Sequence, residues 1–189
     1  MNQFEKVAHR RAKNVLRVVT ADGTPVANTT LRFKQTNHKF LFGWGAFDFN
    51  AHFAVKDPEK KAFFKERMEI WEELFNYGTL PFYLGAYEPE EGNPQWESRM
   101  AAATYMKERG ITAKGHPLCW HTACANWLME YDNGTILRKQ LKRIERDVTQ
   151  FKGTIDIWDV INEVVIMPVF DKYDNAITRI CQEYGRVPL

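Results

Sequence analysis

Four times along the 189 residues a short apolar segment gives way to a helical pattern, with segments starting near residues 39, 77, 111 and 154. That alternation marks parallel βα units, because a parallel strand needs a crossover to return the chain to the same end of its sheet. The first segment, KFLFGWGAF (39–47), is an aromatic run that reads as a strand buried on both faces. Asp57-Pro58 then supplies a cap and a first-turn proline, and Phe64, Met68, Trp71 and Phe75 recur at three- and four-residue spacing, which predicts an amphipathic helix. A second strand falls within NYGTLPFYLGAY (76–87), followed by a helix over 95–109 closed by Gly110. ITAKGHPLCWH (111–121) is the third strand segment. A helix over 135–151 follows, with Ile136, Leu141, Ile144, Val148 and Phe151 on or near one face. TIDIWDVINEVV (154–165) reads as the fourth strand and 172–184 as a last helix.

Eight such units, at roughly 38 residues each, need roughly 300 residues, the size of a closed (β/α)8 barrel. Four make half of one. An open doubly wound sheet wants a G-x-G-x-x-G loop after its first strand, and GWGAF leading into DFNAHF offers none. The fold class read from the pattern is therefore α/β, of the (β/α)8 TIM-barrel family, with about four βα units. Ahead of them, residues 14–20 and 29–35 flank ADGTPVAN, whose Asp22-Gly23 and Pro25 predict a turn between two strands. The chain thus divides into a β-rich lead-in over 1–37 and a half-barrel over 38–189.

Composition narrows the function. With 44% apolar and 26% charged residues the chain is expected to fold around a core. Its 26 basic and 24 acidic residues are interspersed, for a net charge of +2, which argues against a nucleic-acid partner. No apolar run approaches the roughly 18 residues of a membrane span, so a soluble chain without a membrane partner is expected. The opening MNQFEKVAHRRAKN has basic residues but no apolar run behind them to act as a secretory signal. Cys119, Cys124 and Cys181 are too few and odd in number for a disulfide framework.

In a βα barrel the working face lies at the C-terminal ends of the strands. Strand three ends in Gly115-His116-Pro117-Leu118-Cys119-Trp120-His121, and strand four in Trp158-Asp159-Val160-Ile161-Asn162-Glu163. Indoles stack on the apolar faces of pyranose rings, His and Asn bind hydroxyls, and a carboxylic acid protonates a leaving oxygen. These two motifs, with the spacing between them, resemble the N-terminal half of a glycoside hydrolase family 10 catalytic domain, the endo-1,4-β-xylanase family. The family's usual forms are GHTLVWH and WDVVNE, and the resemblance spans about residues 38–189. The hairpin at 13–36 is similar to the β-rich lead-in before some of these domains.

The resemblance implies retaining hydrolysis of internal β-1,4 bonds in xylan, with xylan or xylo-oligosaccharides as partner and no metal or organic cofactor. It makes Glu163 the general acid/base, Asn162 the amide on a sugar 2-hydroxyl, and His116 and Trp120 contacts beside the scissile bond, with His121 a further motif residue. The family's nucleophile is a Glu after a seventh strand, so the chain is expected to stop before it. Secretion is a family expectation only, and the compartment stays open. Strand two departs from the family: where ENEMKW is usual, anchoring on Glu88-Pro89 puts Leu80, Tyr83 and Leu84 at the Asn, Lys and Trp positions. Tyr83 and Tyr87 are the candidates to supply stacking or hydroxyl contacts instead, and substrate preference is open. Two alternatives to a hydrolase remain: a carbohydrate-binding unit without turnover, and a half-barrel that pairs with a second copy or a C-terminal half through its unpaired strand edges.

Other chemistry ranks lower. His116, Cys119, His121 and Cys124 are all zinc-ligand types, but alternation along a strand puts His116 and Trp120 on one face and Cys119 and His121 on the other, so no metal is expected. Asp159 is expected to be a hydrogen-bonded interior acid. The run Phe40, Phe42, Trp44, Phe47 and Phe49 is expected to be mostly packing, with Trp44 or Asp48 at the strand-one end within reach of a ligand. The basic stretch Arg138 to Arg146 reads as a solvated helix face.

Overall fold

The computed structural model describes residues 5–36, 38–165 and 173–185, and the chain forms two compact units, Met1–His38 and Lys39–Leu189. Residue 37, the expected end of the lead-in, and residue 172, the expected start of the last helix, lie outside the described residues.

In the first unit the expected hairpin shrinks to its turn. Val19 and Pro25 form a single antiparallel bridge, and the Asp22 carboxylate accepts the Thr24 N–H at 3.2 Å to close the loop. Residues 29–35 form no strand. The reason is burial: Leu16, Leu31 and Phe33 are exposed, and β-propensity without a face to pack does not hold a ladder.

The second unit is a four-stranded parallel sheet in the order β1-β2-β3-β4. The strands are β1 (Gly43–Gly45), β2 (Tyr77–Pro81), β3 (Thr112–His116) and β4 (Ile157–Trp158). The helices are α1 (Phe47–Ala54), α2 (Pro58–Leu74), α3 (Leu84–Tyr87), α4 (Trp96–Glu108), α5 (Asn133–Gln150) and α6 (Ala176–Tyr184). This is the βα order expected from the sequence, with two additions, α1 and the single turn α3. Asp57 caps α2 by accepting the Lys60 N–H at 2.9 Å with Pro58 in the first turn, and Gly110 takes the left-handed position after α4.

Two pleat faces follow from the register. Gly78, Leu80, Ala113, Gly115 and Trp158 lie on the helix side, joining a core built from Phe49, Met68, Phe82, Met106, Phe151 and Ile155. Gly115 is required there, since any Cβ would collide with the Trp158 ring. Trp158 is therefore a core indole, stacked edge-on to Phe82 at 4.9 Å, rather than part of a sugar platform. Thr79, Lys114 and His116 lie on the other face. A second apolar cluster, with Leu128, Ile136, Ile177 and Ile180, joins α5, α6 and the loop after β3.

Three expectations change in detail. The segment 39–47 is not a strand buried on both faces: β1 is a three-residue edge, and Phe40, Phe42, Trp44 and Phe47 are exposed, leaving Phe49 as the buried member of that run. The third strand ends at His116 instead of running to 121, and the fourth keeps two residues before it loosens. Helix α5 is also turned from its expected face. Ile136, Gln140, Arg143, Asp147 and Phe151 are buried, while Leu141 and Val148 are exposed, because Gln140 and Arg143 donate to carbonyls just past β2 and β3 and Asp147 pairs with Arg143, Arg146 and Tyr87.

Candidate active site

The site is assembled where β2, β3 and β4 end. His116 is the last residue of β3, and its carbonyl accepts the Phe82 N–H at 2.6 Å, which joins the ends of β2 and β3. The next residue, Pro117, follows a cis peptide bond. Leu118 then turns toward β4, donating its N–H to the Asp159 carbonyl at 2.9 Å, and Asn162 donates its own N–H to the Cys119 carbonyl at 2.9 Å. These two backbone bonds carry the loop after β3 alongside the segment after β4. They bring Trp120 to Glu163, whose carboxylate accepts the indole N–H at 2.9 Å. Glu163 itself sits at φ +56, in the left-handed region that a Glu seldom adopts. Asn162 and Glu163 are both half-buried.

Tyr83, the first residue past Phe82, stands between the two imidazole and indole candidates. Its ring centroid lies 5.5 Å from that of His116 and 5.6 Å from that of Trp120. Burial raises its hydroxyl pKa, and the nearby Glu163 charge adds to that rise. On the same face Asp159 receives Lys114 Nζ and His116 Nδ1, each at 2.6 Å. Burial alone would push the Asp159 carboxyl up, but the Lys114 and His116 hydrogen bonds outweigh it and hold the group below its ordinary value. Asp159 is thus the hydrogen-bonded acid expected from the sequence, and it fixes the His116 ring by one nitrogen.

A cleft of about 790 Å³ opens beside this group at the β1 edge, walled by Trp44, Phe47, Asp48, Thr79, Tyr83, Lys114 and His116 on one side and by α2 residues including Arg67 and Trp71 on the other. Glu163 and Trp120 are not among its walls, so His116 and Tyr83 are the residues shared by the cleft and the carboxylate end. Trp44 is 72% exposed, and Asp48 is paired with Arg67 at 2.8 Å.

Two candidates lie elsewhere. Tyr87 is 0% exposed and points into the core: its hydroxyl donates to Asp147 at 3.3 Å, and its ring packs on Phe82 at 5.1 Å. It is the end of the one-turn helix α3, absent from the expected pattern, that turns Tyr87 away from Tyr83 and toward α5. A sugar contact for Tyr87 is therefore corrected to a structural role. His121 is 3% exposed, with its ring 5.8 Å from that of Tyr173, so it lies beneath the surface near Glu163 and does not offer an edge to a sugar. Burial lowers its pKa, partly opposed by the Glu163 charge. Cys119 belongs to the second apolar cluster, and burial pushes its thiol up to about 12, the opposite of a thiolate ligand.

Three further polar groups sit at the strand ends or in the layer behind them. Lys114 stands two residues before His116, and strand alternation alone would have put both on one face. Glu88, the anchor of the strand-two motif, is buried and ion-paired to Arg146 at 2.7 Å. Arg143 falls within the basic stretch 138–146 expected to be a solvated helix face, and is instead buried, because its guanidinium meets Asp147 and the Phe82 and Leu118 carbonyls.

A parallel βα sheet that gathers carboxylates, imidazole, amide and aromatic rings at its C-terminal strand ends is the arrangement of barrel enzymes. Residues 48–179 match the profile of glycosyl hydrolase family 10, and the chain belongs to that family. It is 29% identical over 124 residues to an endo-1,4-beta-xylanase/feruloyl esterase of Xylanibacter ruminicola, covering 60% of this chain and 16% of that protein. It is 26% identical over 176 residues to endo-1,4-beta-xylanase 5 of Arabidopsis thaliana, covering 89% and 28%. The anti-sigma-I factor RsgI6 of Acetivibrio thermocellus is 25% identical over 166 residues, covering 85% and 20%. The chain thus spans less than a third of each of these relatives. Among solved structures, a family 10 endoxylanase from a sugarcane soil metagenome superposes with a TM-score of 0.61 at 20% identity, over 79% of this chain and 42% of that one. The fold is accordingly that of the TIM-barrel family, represented here by four βα units.

Proposed function

We propose that residues 38–189 carry the acid/base side of an endo-1,4-β-xylanase site. In this reading Glu163 protonates the departing glycosidic oxygen of an internal β-1,4-xylosidic bond and later takes a proton from the attacking water. Asn162 holds a sugar 2-hydroxyl, and His116, Tyr83 and Trp120 contact the ring beside the scissile bond. The observation that carries the reading is the Trp120–Glu163 hydrogen bond in a family 10 chain, which seats a carboxylate on aromatic surface whose Tyr83 ring also packs on the Asp159-bound His116. Retention of configuration needs a second carboxylate as nucleophile, which forms a glycosyl-enzyme ester as the leaving group departs. The resemblance puts that residue after a seventh strand, outside this chain.

The test is reducing-end release from xylan and xylotetraose, by the 189-residue chain alone and mixed with the C-terminal half of a family 10 barrel, with Glu163→Gln as control. Release in the mixture that disappears in Glu163→Gln is the expected result. Release by the chain alone would place a nucleophile within it and overturn the division of the site. A second reading, sugar binding without turnover, is favoured by the likeness to a protein named as an anti-sigma factor rather than a hydrolase. It requires xylotetraose binding that survives Glu163→Gln with no release under any pairing.

A further inference from the structure

The ends of β2 and β3 are held together by a side chain where the backbone ladder stops. The register that pairs Pro81 with His116 closes the Phe82 N–H on the His116 carbonyl, and in a regular parallel ladder the Leu118 N–H would next reach the Phe82 carbonyl. It does not, because Leu118 donates to Asp159 of the β4 side. Among the described residues no backbone N–H reaches Phe82 O or Leu118 O. Arg143 fills the gap. One guanidinium nitrogen donates to Leu118 O and another to Phe82 O at 2.5 Å, while Nε meets Asp147 at 3.0 Å. Gln140 adds a second donor to Leu118 O at 2.8 Å.

We infer that Arg143 is a positioning residue for the site: its planar fork sets the separation between the β2 and β3 ends, and so the spacing of Tyr83 from His116 and Trp120. This rests on the reading of those strand ends as a sugar site. Tyr83 follows the Phe82 carbonyl directly, and Leu118 lies midway between His116 and Trp120, so one clamped carbonyl adjoins a site residue and the other sits in the segment that joins two. The fork is itself held. The carboxylate that meets Nε also receives the Tyr87 hydroxyl from α3 at 3.3 Å, so the fork is anchored to the core as well as to its own helix. Arg143 is 5% exposed at its side chain and Asp147 0%, so neither is a solvated charge of the helix surface. A lysine keeps the charge but, as a compact ammonium, cannot span both carbonyls and the carboxylate in one plane.

The test labels the indole nitrogens of the full chain with ¹⁵N and follows the Trp120 signal in Arg143→Lys and Arg146→Lys, alongside xylotetraose titration. Arg146 pairs with the same Asp147 and with Glu88 but is bonded to neither strand-end carbonyl. The expected result is that Arg143→Lys shifts the Trp120 indole signal and weakens xylotetraose about tenfold, since small misplacements of binding groups carry losses of roughly this order or more. The Trp71 signal, from α2, stays put, and Arg146→Lys leaves the Trp120 signal and the affinity in place even where it lowers Tm. An unmoved Trp120 signal in Arg143→Lys, or an equal movement in Arg146→Lys, overturns the inference. Should Arg143→Lys fail to fold, the charge-neutral pair Arg143→Gln with Asp147→Asn removes the fork without stranding a buried ion, and the same two outcomes apply. A shifted Trp120 signal in a chain whose wild type binds no xylotetraose keeps the positioning role and removes the sugar reading.

Discussion

The Trp120 indole donates to the Glu163 carboxylate across 2.9 Å, tying the loop after β3 to the loop after β4. Neither residue is in a regular strand, and Glu163 is in the left-handed region, so the pair is defined by the bond and by the backbone links at Leu118 and Asn162.

Removing the donor and changing the acceptor are therefore unequal. Trp120→Phe takes away a hydrogen bond to a carboxylate and is expected to cost about 1–2 kcal/mol in denaturant unfolding. Glu163→Gln keeps an amide oxygen that can accept the same N–H, so its unfolding midpoint is expected within measurement error of wild type. Equal losses in the two variants would show that the indole–carboxylate bond does not organise this end of the sheet.

Tyr83 and Tyr87, four residues apart, separate in opposite senses. Tyr87→Ala empties a fully buried position and is expected to cost about 3–5 kcal/mol. Tyr83→Ala, at a half-buried site surface, is expected to cost about 1 kcal/mol or less in stability. Its larger effect is expected in isothermal titration, as weaker xylotetraose binding. A Tyr87→Phe variant that binds xylotetraose like wild type completes the contrast, whereas weakened binding with an unchanged midpoint would return Tyr87 to the site.

Lys114 and Asp159 are expected to be coupled. Each single change, Lys114→Met or Asp159→Asn, strands the other group's polar atoms beside His116, so the double variant is expected to lose less than the sum by about 0.5–3 kcal/mol. The pH sense follows from the lowered Asp159 pKa. With the folded value below the unfolded 3.8, the coupling is fully present above about pH 3.8 and fades as the pH falls through the folded value. Additive losses at pH 7 would leave the pair without mutual stabilisation.

His121 sets a second, higher window. Burial lowers its pKa below the ordinary 6.5, so the unfolded chain binds its proton first and acidification below about pH 6.5 favours unfolding. His121→Gln removes that proton uptake, and the fall of Tm between pH 6.5 and 5 is expected to be shallower than in wild type. Parallel Tm–pH curves would locate the sensitivity elsewhere.

Much of this arrangement was legible in the residues themselves. Local signals were enough for the strand–helix order and for the caps at Asp57 and Gly110, because periodicity and capping act over one or two turns. Motif resemblance was enough to bring His116, Trp120, Asn162 and Glu163 into one group. Sequence reasoning fell short where partners are remote. The lead-in segments carry β-propensity with no face to bury, and the 39–47 run has the apolar pattern of an interior strand although β1 lies at the end of the strand order. Tyr83 and Tyr87 looked equivalent until the turn α3 sent one to the site and the other to the core.

The βα alternation and the chemical types at the strand ends are written in residues close together along the chain, where periodicity, capping and motif act locally. Which face of α5 goes inside depends instead on groups remote along the chain. By apolar pattern Leu141 and Val148 should be inside, yet Gln140, Arg143 and Asp147 are. The physical reason is that two carbonyls past the strand ends, 25 and 61 residues away in sequence from Arg143, need donors once the β2–β3 ladder ends, and each would cost about 1–3 kcal/mol if buried without one.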